Sequence, residues 1–283
     1  MTYECFEVTV DDGVAHIVMN RPEAMNSMNR AFWMELPVIV RSLDADGATR
    51  AAVLSSTGKH FCAGMDLAVF ASGAGGAPTG DGLSTETGRT RAYFKEVVHL
   101  LQGSFTALEE ARFPVLTAIH GGCIGGAVDM VTAADMRYCS ADAFFCVQEI
   151  NIGMTADVGT LQRLPKLIPE GVAREMAYRG HRLGAERAHQ IGLVNEVFAD
   201  HEALVAGVLD IAREIASKSP LAIHGTKQML NYTRDHSVAD GLNYIAAWQS
   251  GMFQPADMLE SFTAKGEQRD PAFDDLLPRP TEF

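Results

Sequence analysis

No run of lysines and arginines occurs anywhere in the 283 residues, and the net charge is −13 at neutral pH. Such a chain offers no cationic surface to nucleic acid, although backbone donors and a few placed cations can still hold a phosphorylated ligand. No apolar run reaches membrane-spanning length, so no contact with a membrane is expected. The first residues, MTYECFEV, lack the basic start and apolar stretch of a signal peptide, and PRPTEF at the other end is not a peroxisomal address. A soluble, cytoplasmic protein is expected on that basis. Cysteine is scarce and unpatterned: Cys5, Cys62, Cys123, Cys139 and Cys146 are odd in number and form no CxxC. With no histidine cluster to complete a metal set, they read as reduced core residues, and neither a disulfide framework nor a metal site is expected. Gly122, Gly125 and Gly126 miss the GxGxxG pattern because Ile124 stands where a glycine is needed, and P-loop and GxSxG patterns are absent. Dinucleotide, Walker-type and serine-hydrolase chemistries are thereby set aside.

Apolar residues make up 47% of the chain, enough for one large core with a helical appendage. FEVTV, a turn at Asp11-Asp12-Gly13, and VAHIVMN read as a β-hairpin. A turn-rich NRPEAMNSMN leads into a helix from about Asn29 to Leu43, with Pro37 as an internal irregularity. AAVLSS is a buried strand, 72–88 a glycine-rich surface loop or lid, and 91–111 a helix. PVLTAIH is a β-branched strand that ends in Gly121 and Gly122 and resumes as a helix from about Gly125. Helical patterns follow around 159–166, 170–179 and 184–191, then a strand-like LVNEVF, then helices to the end. The pattern predicts an α/β core over 1–200 that holds the site, and an all-helical region over 201–283.

The chemistry gathers between His120 and Asp157. A strand halted by glycines and restarted as a helix presents bare N–H groups at a positive helix end. In HFCAGMDL, Gly64 also follows a strand and turn, so the N–H groups of Met65 and Gly126 are candidates to converge on one oxyanion. Asp129, Glu149 and Asp157 lie among apolar residues, where burial raises carboxyl pKa values towards those that proton transfer needs. Plainer readings stand beside these: a tightly packed turn for the glycines, a local pairing for Asp129, a strand-end surface position for Glu149, and an N-cap near Gly159 for Asp157.

HFCAGMDL, AIHGGCIGGAVD, QEINIGM, TLQRLP and ERAHQIGLVNEVF together resemble the crotonase (enoyl-CoA hydratase/isomerase) superfamily over about residues 5–265. The resemblance implies a ββα spiral core with a helical C-terminal trimerisation region. It implies an acyl-CoA thioester substrate and no cofactor beyond it, with the enolate held by the N–H groups of Met65 and Gly126. Substrate contacts carry over to Ala24, Met25, Ala63, Gly64, Asp66 and Leu67. Hydratases of the family have Glu where Asp129 stands and a glycine-rich segment where Thr155-Ala156-Asp157 stands. Asp129, Glu149 and Asp157 instead resemble the dienoyl-CoA isomerase branch, which implies conversion of 3,5-dienoyl-CoA to 2,4-dienoyl-CoA in fatty acid β-oxidation. The resemblance further implies a homotrimer or homohexamer. An enoyl-CoA hydratase, a 3,2-enoyl-CoA isomerase or an idle acyl-CoA-binding fold are the alternatives. Arg21, Lys59, Lys227 and Lys265 are candidate cations for the CoA phosphates.

Overall fold

The computed structural model describes residues 2–66, 68–69 and 87–281. Strands β1 (Phe6–Asp11) and β2 (Val14–Met19) form the expected antiparallel hairpin, closed by Asp12 and Gly13 at positive φ. From β2 the sheet continues in parallel through β3 (Ala51–Ser56), β4 (Val115–Ile119), β6 (Met136–Ser140) and β9 (Glu196–Phe198), in the order β1-β2-β3-β4-β6-β9. A smaller sheet joins β5 (Gly122–Ile124), β7 (Phe144–Cys146) and β8 (Leu183–Gly184). The expected direct passage from β4 into a helix is therefore corrected: β5 intervenes and pairs in parallel with β7. Three residues, one of them glycine, are too few to show a strand period in sequence.

Every residue of β3 is buried, as befits a strand covered on both faces. On one face Val14, Ala51, Val53 and Leu116 pack with Leu204, Val208 and Ala212 of α7 (His201–Ala216). On the other, Ile17, Ala52 and Leu54 share a cluster with Phe32, Leu36 and Ile39 of α1 (Arg30–Ala45) and Phe105 and Leu108 of α2 (Thr87–Glu110). Asn29 caps α1 by accepting from the Phe32 N–H at 2.9 Å, and the buried residues recur at helical spacing along it. Pro37 sits inside α1 and has no N–H to offer the Trp33 carbonyl. Ser104 of α2 supplies that bond instead, its Oγ donating to Trp33 O at 2.9 Å. Thr87 and Gly88, placed in a loop by sequence, open α2; the rest of the expected loop at 72–88 lies outside the described residues.

Between β5 and α7 the chain also forms α3 (Gly126–Ala133), α4 (Thr160–Leu167), α5 (Glu170–Arg179) and α6 (Ala185–Gln190). Beyond α7 come α8 (Pro220–Thr233), α9 (Val238–Met252) and α10 (Pro255–Glu267). Helix α9 buries none of its residues, and Leu230, Leu242, Phe253, Leu259 and Phe262 stand exposed. All five cysteines are buried and unbridged.

Candidate active site

Two backbone segments meet first. Cys62 and Cys123 form a single parallel bridge, with Cys62 N donating to Gly122 O at 3.0 Å and Ile124 N to Cys62 O at 3.1 Å. This brings the turn after Cys62 against the start of α3. Gly64 adopts φ +86°, and a Cβ there would lie 2.7 Å from Ile124 O and 3.5 Å from Gly126 N. Only glycine lets the backbones approach that closely. Met28 then grips both neighbours of Met65: Met28 N donates to Gly64 O at 2.8 Å, and Asp66 N donates to Met28 O at 3.1 Å. Alternation along an extended chain turns the Met65 N–H away from Met28. Gly126 is the first residue of α3, so its N–H has no helical acceptor.

Met65 and Gly126 line one cavity of about 640 Å³, together with Ala24, Met25, Ala63, Gly64, Asp66, Glu149 and Asp157. Leu67, the remaining expected contact, lies outside the described residues. Sequence reasoning missed the apolar wall of this cavity, made by Trp33 of α1 and Val97, Val98 and Leu101 of α2. The helical period of α2 was visible, but which side faces the cavity depends on how α1 and α2 pack.

The three carboxyls occupy different settings. Asp129, in the first turn of α3, is fully buried and does not line the cavity. Its Oδ1 accepts from the Thr160 N–H at 2.6 Å, tying α3 to the start of α4, while Oδ2 has no hydrogen bond among the described residues. Burial raises its pKa to about 6 against the pull of the Thr160 N–H. Glu149 opens a short 3-10 turn (Glu149–Ile152) just after β7. Its carboxyl lies over Gly125, where a Cβ would come within 3.2 Å of Oε1, and Oε2 is buried with no hydrogen bond among the described residues. Burial, then the charges of Asp129 and Asp157, push its pKa to about 7. Asp157 is half-buried in the loop before α4, and burial raises its pKa too. The N-cap reading of Asp157 is corrected, since the cap of α4 is Gly159 and the free N–H of Thr160 is taken by Asp129.

Of the four candidate phosphate cations, Lys227 is unavailable. It is buried, with Nζ donating to Asp135 Oδ2 at 2.8 Å, Phe113 O at 2.9 Å and Leu108 O at 3.0 Å. Its helical period in sequence gave no sign that three acceptors converge on it. Arg21 lies behind two residues that line the cavity: its Nη1 donates to Ser27 O at 2.9 Å, and its Nη2 lies 3.9 Å from Asp66.

A family model described as enoyl-CoA hydratase/isomerase matches residues 9–276. The chain is 43% identical over 271 residues to the mitochondrial Delta(3,5)-Delta(2,4)-dienoyl-CoA isomerase of Homo sapiens, covering 95% of this chain and 81% of that protein. It is 40% identical over 272 residues to the peroxisomal protein of that name from Arabidopsis thaliana, covering 96% of each. Among solved structures, an enoyl-CoA hydratase from Bacillus anthracis superposes with a TM-score of 0.84 at 28% identity, over 95% of this chain and 99% of that one. A Thermobifida fusca YX protein in complex with acetoacetyl-CoA superposes with a TM-score of 0.76 at 27% identity, over 87% of this chain and 94% of that one. These relatives correct one expectation: they are named mitochondrial and peroxisomal, which overturns the cytoplasmic location read from the chain. A cellular address is read by receptors from short segments, and the composition of a folded domain does not carry it.

Proposed function

The chain belongs to the enoyl-CoA hydratase/isomerase family, and within it we propose that this protein converts 3,5-dienoyl-CoA to 2,4-dienoyl-CoA. The thioester carbonyl sits between the N–H groups of Met65 and Gly126. Glu149 removes the proton from the α-carbon. The negative charge spreads from the thioester oxygen along the conjugated chain, where the two N–H groups stabilise it by about 3–4 kcal/mol per donor. In the reactive form the single proton of the pair lies on Asp157, which gives it to the carbon four bonds further along, and the double bonds move to the 2,4 positions. One proton resides on the pair before and after, so the sites reset by exchanging it. No water takes part, in keeping with the apolar wall of α2.

One observation carries this reading. Two carboxyls raised by burial face the cavity, while Asp129 is committed to the Thr160 N–H and supports them from behind. The assignment of Glu149 to the α-carbon follows from its place over Gly125, next to the Gly126 donor that holds the adjoining carbonyl. Arg21, Lys59 and Lys265 are the proposed cations for the CoA phosphates, and fatty acid β-oxidation is the proposed setting. The exposed apolar residues of α8, α9 and α10 fit a closed homotrimer, or two such trimers paired.

Supplying 3,5-dienoyl-CoA and following the absorbance of the conjugated thioester tests the reading. Rapid conversion, with slow hydration of a 2-enoyl-CoA, is the expected result. Rapid hydration with no dienoyl conversion would make the protein a hydratase; tight acyl-CoA binding without turnover would make it a binding module.

A further inference from the structure

Among the described residues no side chain bonds to the Asp157 carboxyl, so its place depends on the backbone of 156–160, and that backbone is held from below. Gln102 of α2 donates through Nε2 to Asp157 O at 2.7 Å. Beneath the next turn lies the guanidinium of Arg163, one turn into α4. Gly159 adopts φ +136°, and a Cβ there would sit 1.9 Å from Arg163 Nη1. The planar group thus occupies the volume that any other residue at 159 would need, with Nη1 3.5 Å from Val158 O. Arg163 is fixed in turn by Glu109 of α2, which accepts from Nη2 at 2.9 Å, both side chains being only 14% exposed. The other oxygen of Glu109 pairs with Arg234 at the end of α8. A bidentate-capable fork pinned by a shielded carboxylate is a rigid support.

We infer that Arg163, locked by Glu109, is a positioning residue that holds the 157–159 backbone so that Asp157 meets the distal carbon of the substrate. The inference rests on the assignment of Asp157 to distal protonation. Arg163 does not line the cavity and bonds to Val158, Thr106 and Glu109, so its loss should damage one half of the reaction only. Glu149 follows β7, and among the described residues no hydrogen bond or ion pair joins it to Arg163 or Glu109; the Arg163 charge is felt by Asp129, behind the pair.

The test uses the full chain in deuterated buffer with 3,5-dienoyl-CoA. Product formation is followed by absorbance, and recovered substrate is assayed for deuterium at the α-carbon. For Arg163→Met, product formation is expected to fall by roughly tenfold or more, the scale of a small misplacement, with KM and α-carbon exchange close to the starting values. Arg163→Lys, which keeps the charge but not the flat fork, should recover only part of the loss. Glu109→Gln removes the charge that pins the fork and should show the same split in milder form; it keeps the test decisive where Arg163→Met does not fold. Wild-type product formation by the folded variants would overturn the inference, as would equal losses of exchange and conversion. Asp157→Asn separates the two levels. If it loses conversion while the Arg163 and Glu109 variants do not, only the support is refuted; if it converts normally, the assignment of Asp157 itself falls.

Discussion

Asp129 and Glu149 are carboxyls that the fold prefers neutral, and this has a sign that stability measurements can read. Between their ordinary values and the raised ones, about 6 for Asp129 and about 7 for Glu149, the folded chain binds more protons than the unfolded chain. Stability therefore falls as pH rises through the window from about 4 to 7. The displacement of Asp129 from 3.8 to about 6 corresponds to about 3 kcal/mol at most. Asp129→Asn keeps an oxygen for the Thr160 N–H and should flatten this fall, making the variant more stable than the parent at pH 8; urea titrations across pH measure it. In catalysis, Glu149→Gln and Asp157→Asn should each lower kcat by about a hundredfold or more without unfolding the chain. Wild-type turnover in both would remove them from the mechanism. Gly126→Pro deletes a single N–H at a first helical position, where proline is tolerated, so kcat should drop by about 10²–10³ in a folded chain whose melting temperature falls modestly as Met28 gives way to the ring. Met65→Ala keeps its backbone donor and should cost far less. Asp157→Gly combined with Asp129→Glu should depress dienoyl conversion steeply while hydration of a 2-enoyl-CoA stays equal or rises, because two carboxylates could then share one water.

Helix α1 shows how one element leans on another. Ser104 of α2 serves the carbonyl that Pro37 leaves without a donor. Ser104→Ala should destabilise by about 1–3 kcal/mol, the cost of an unsatisfied buried carbonyl. In a Pro37→Ala background α1 can close its own ladder, so the same serine change should cost much less. A double-mutant cycle in urea reads the difference, and strict additivity would contradict the account. Elements with long period were legible beforehand: the hairpin, α1, α2 and the run of helices from α4 onward all lie close to where hydrophobic spacing put them. The small sheet was not, because β5 and β8 are short and are held by pairing with β7. Nor could spacing reveal that Lys227 points inward at Asp135, since a lysine on a helix reads as solvent-facing unless its acceptors are known.

The molecule as a whole exposes more apolar surface at its C-terminal end than one chain needs, with Leu230, Leu242, Leu259 and Phe262 each 65–68% exposed. Light scattering at micromolar concentration should return three or six times the monomer mass. A fully active monomer would refute the assembly. Asp129, Glu149 and Asp157 were legible as a group because each interrupts an apolar run. One is a buried strut and two face the cavity, a difference set by where α4 begins. All three belong to one continuous stretch that starts in α3 and ends just before α4, whereas the cradle for the thioester oxygen is shared with the distant turn at Gly64 and Met65. The two jobs are thus done by different atoms, side chains for the proton transfers and backbone N–H groups for the thioester oxygen. A lineage can exchange a few side chains within that stretch and acquire a new reaction while the backbone that activates the substrate is inherited intact, so chemical diversification on this scaffold needs no reinvention of its binding step.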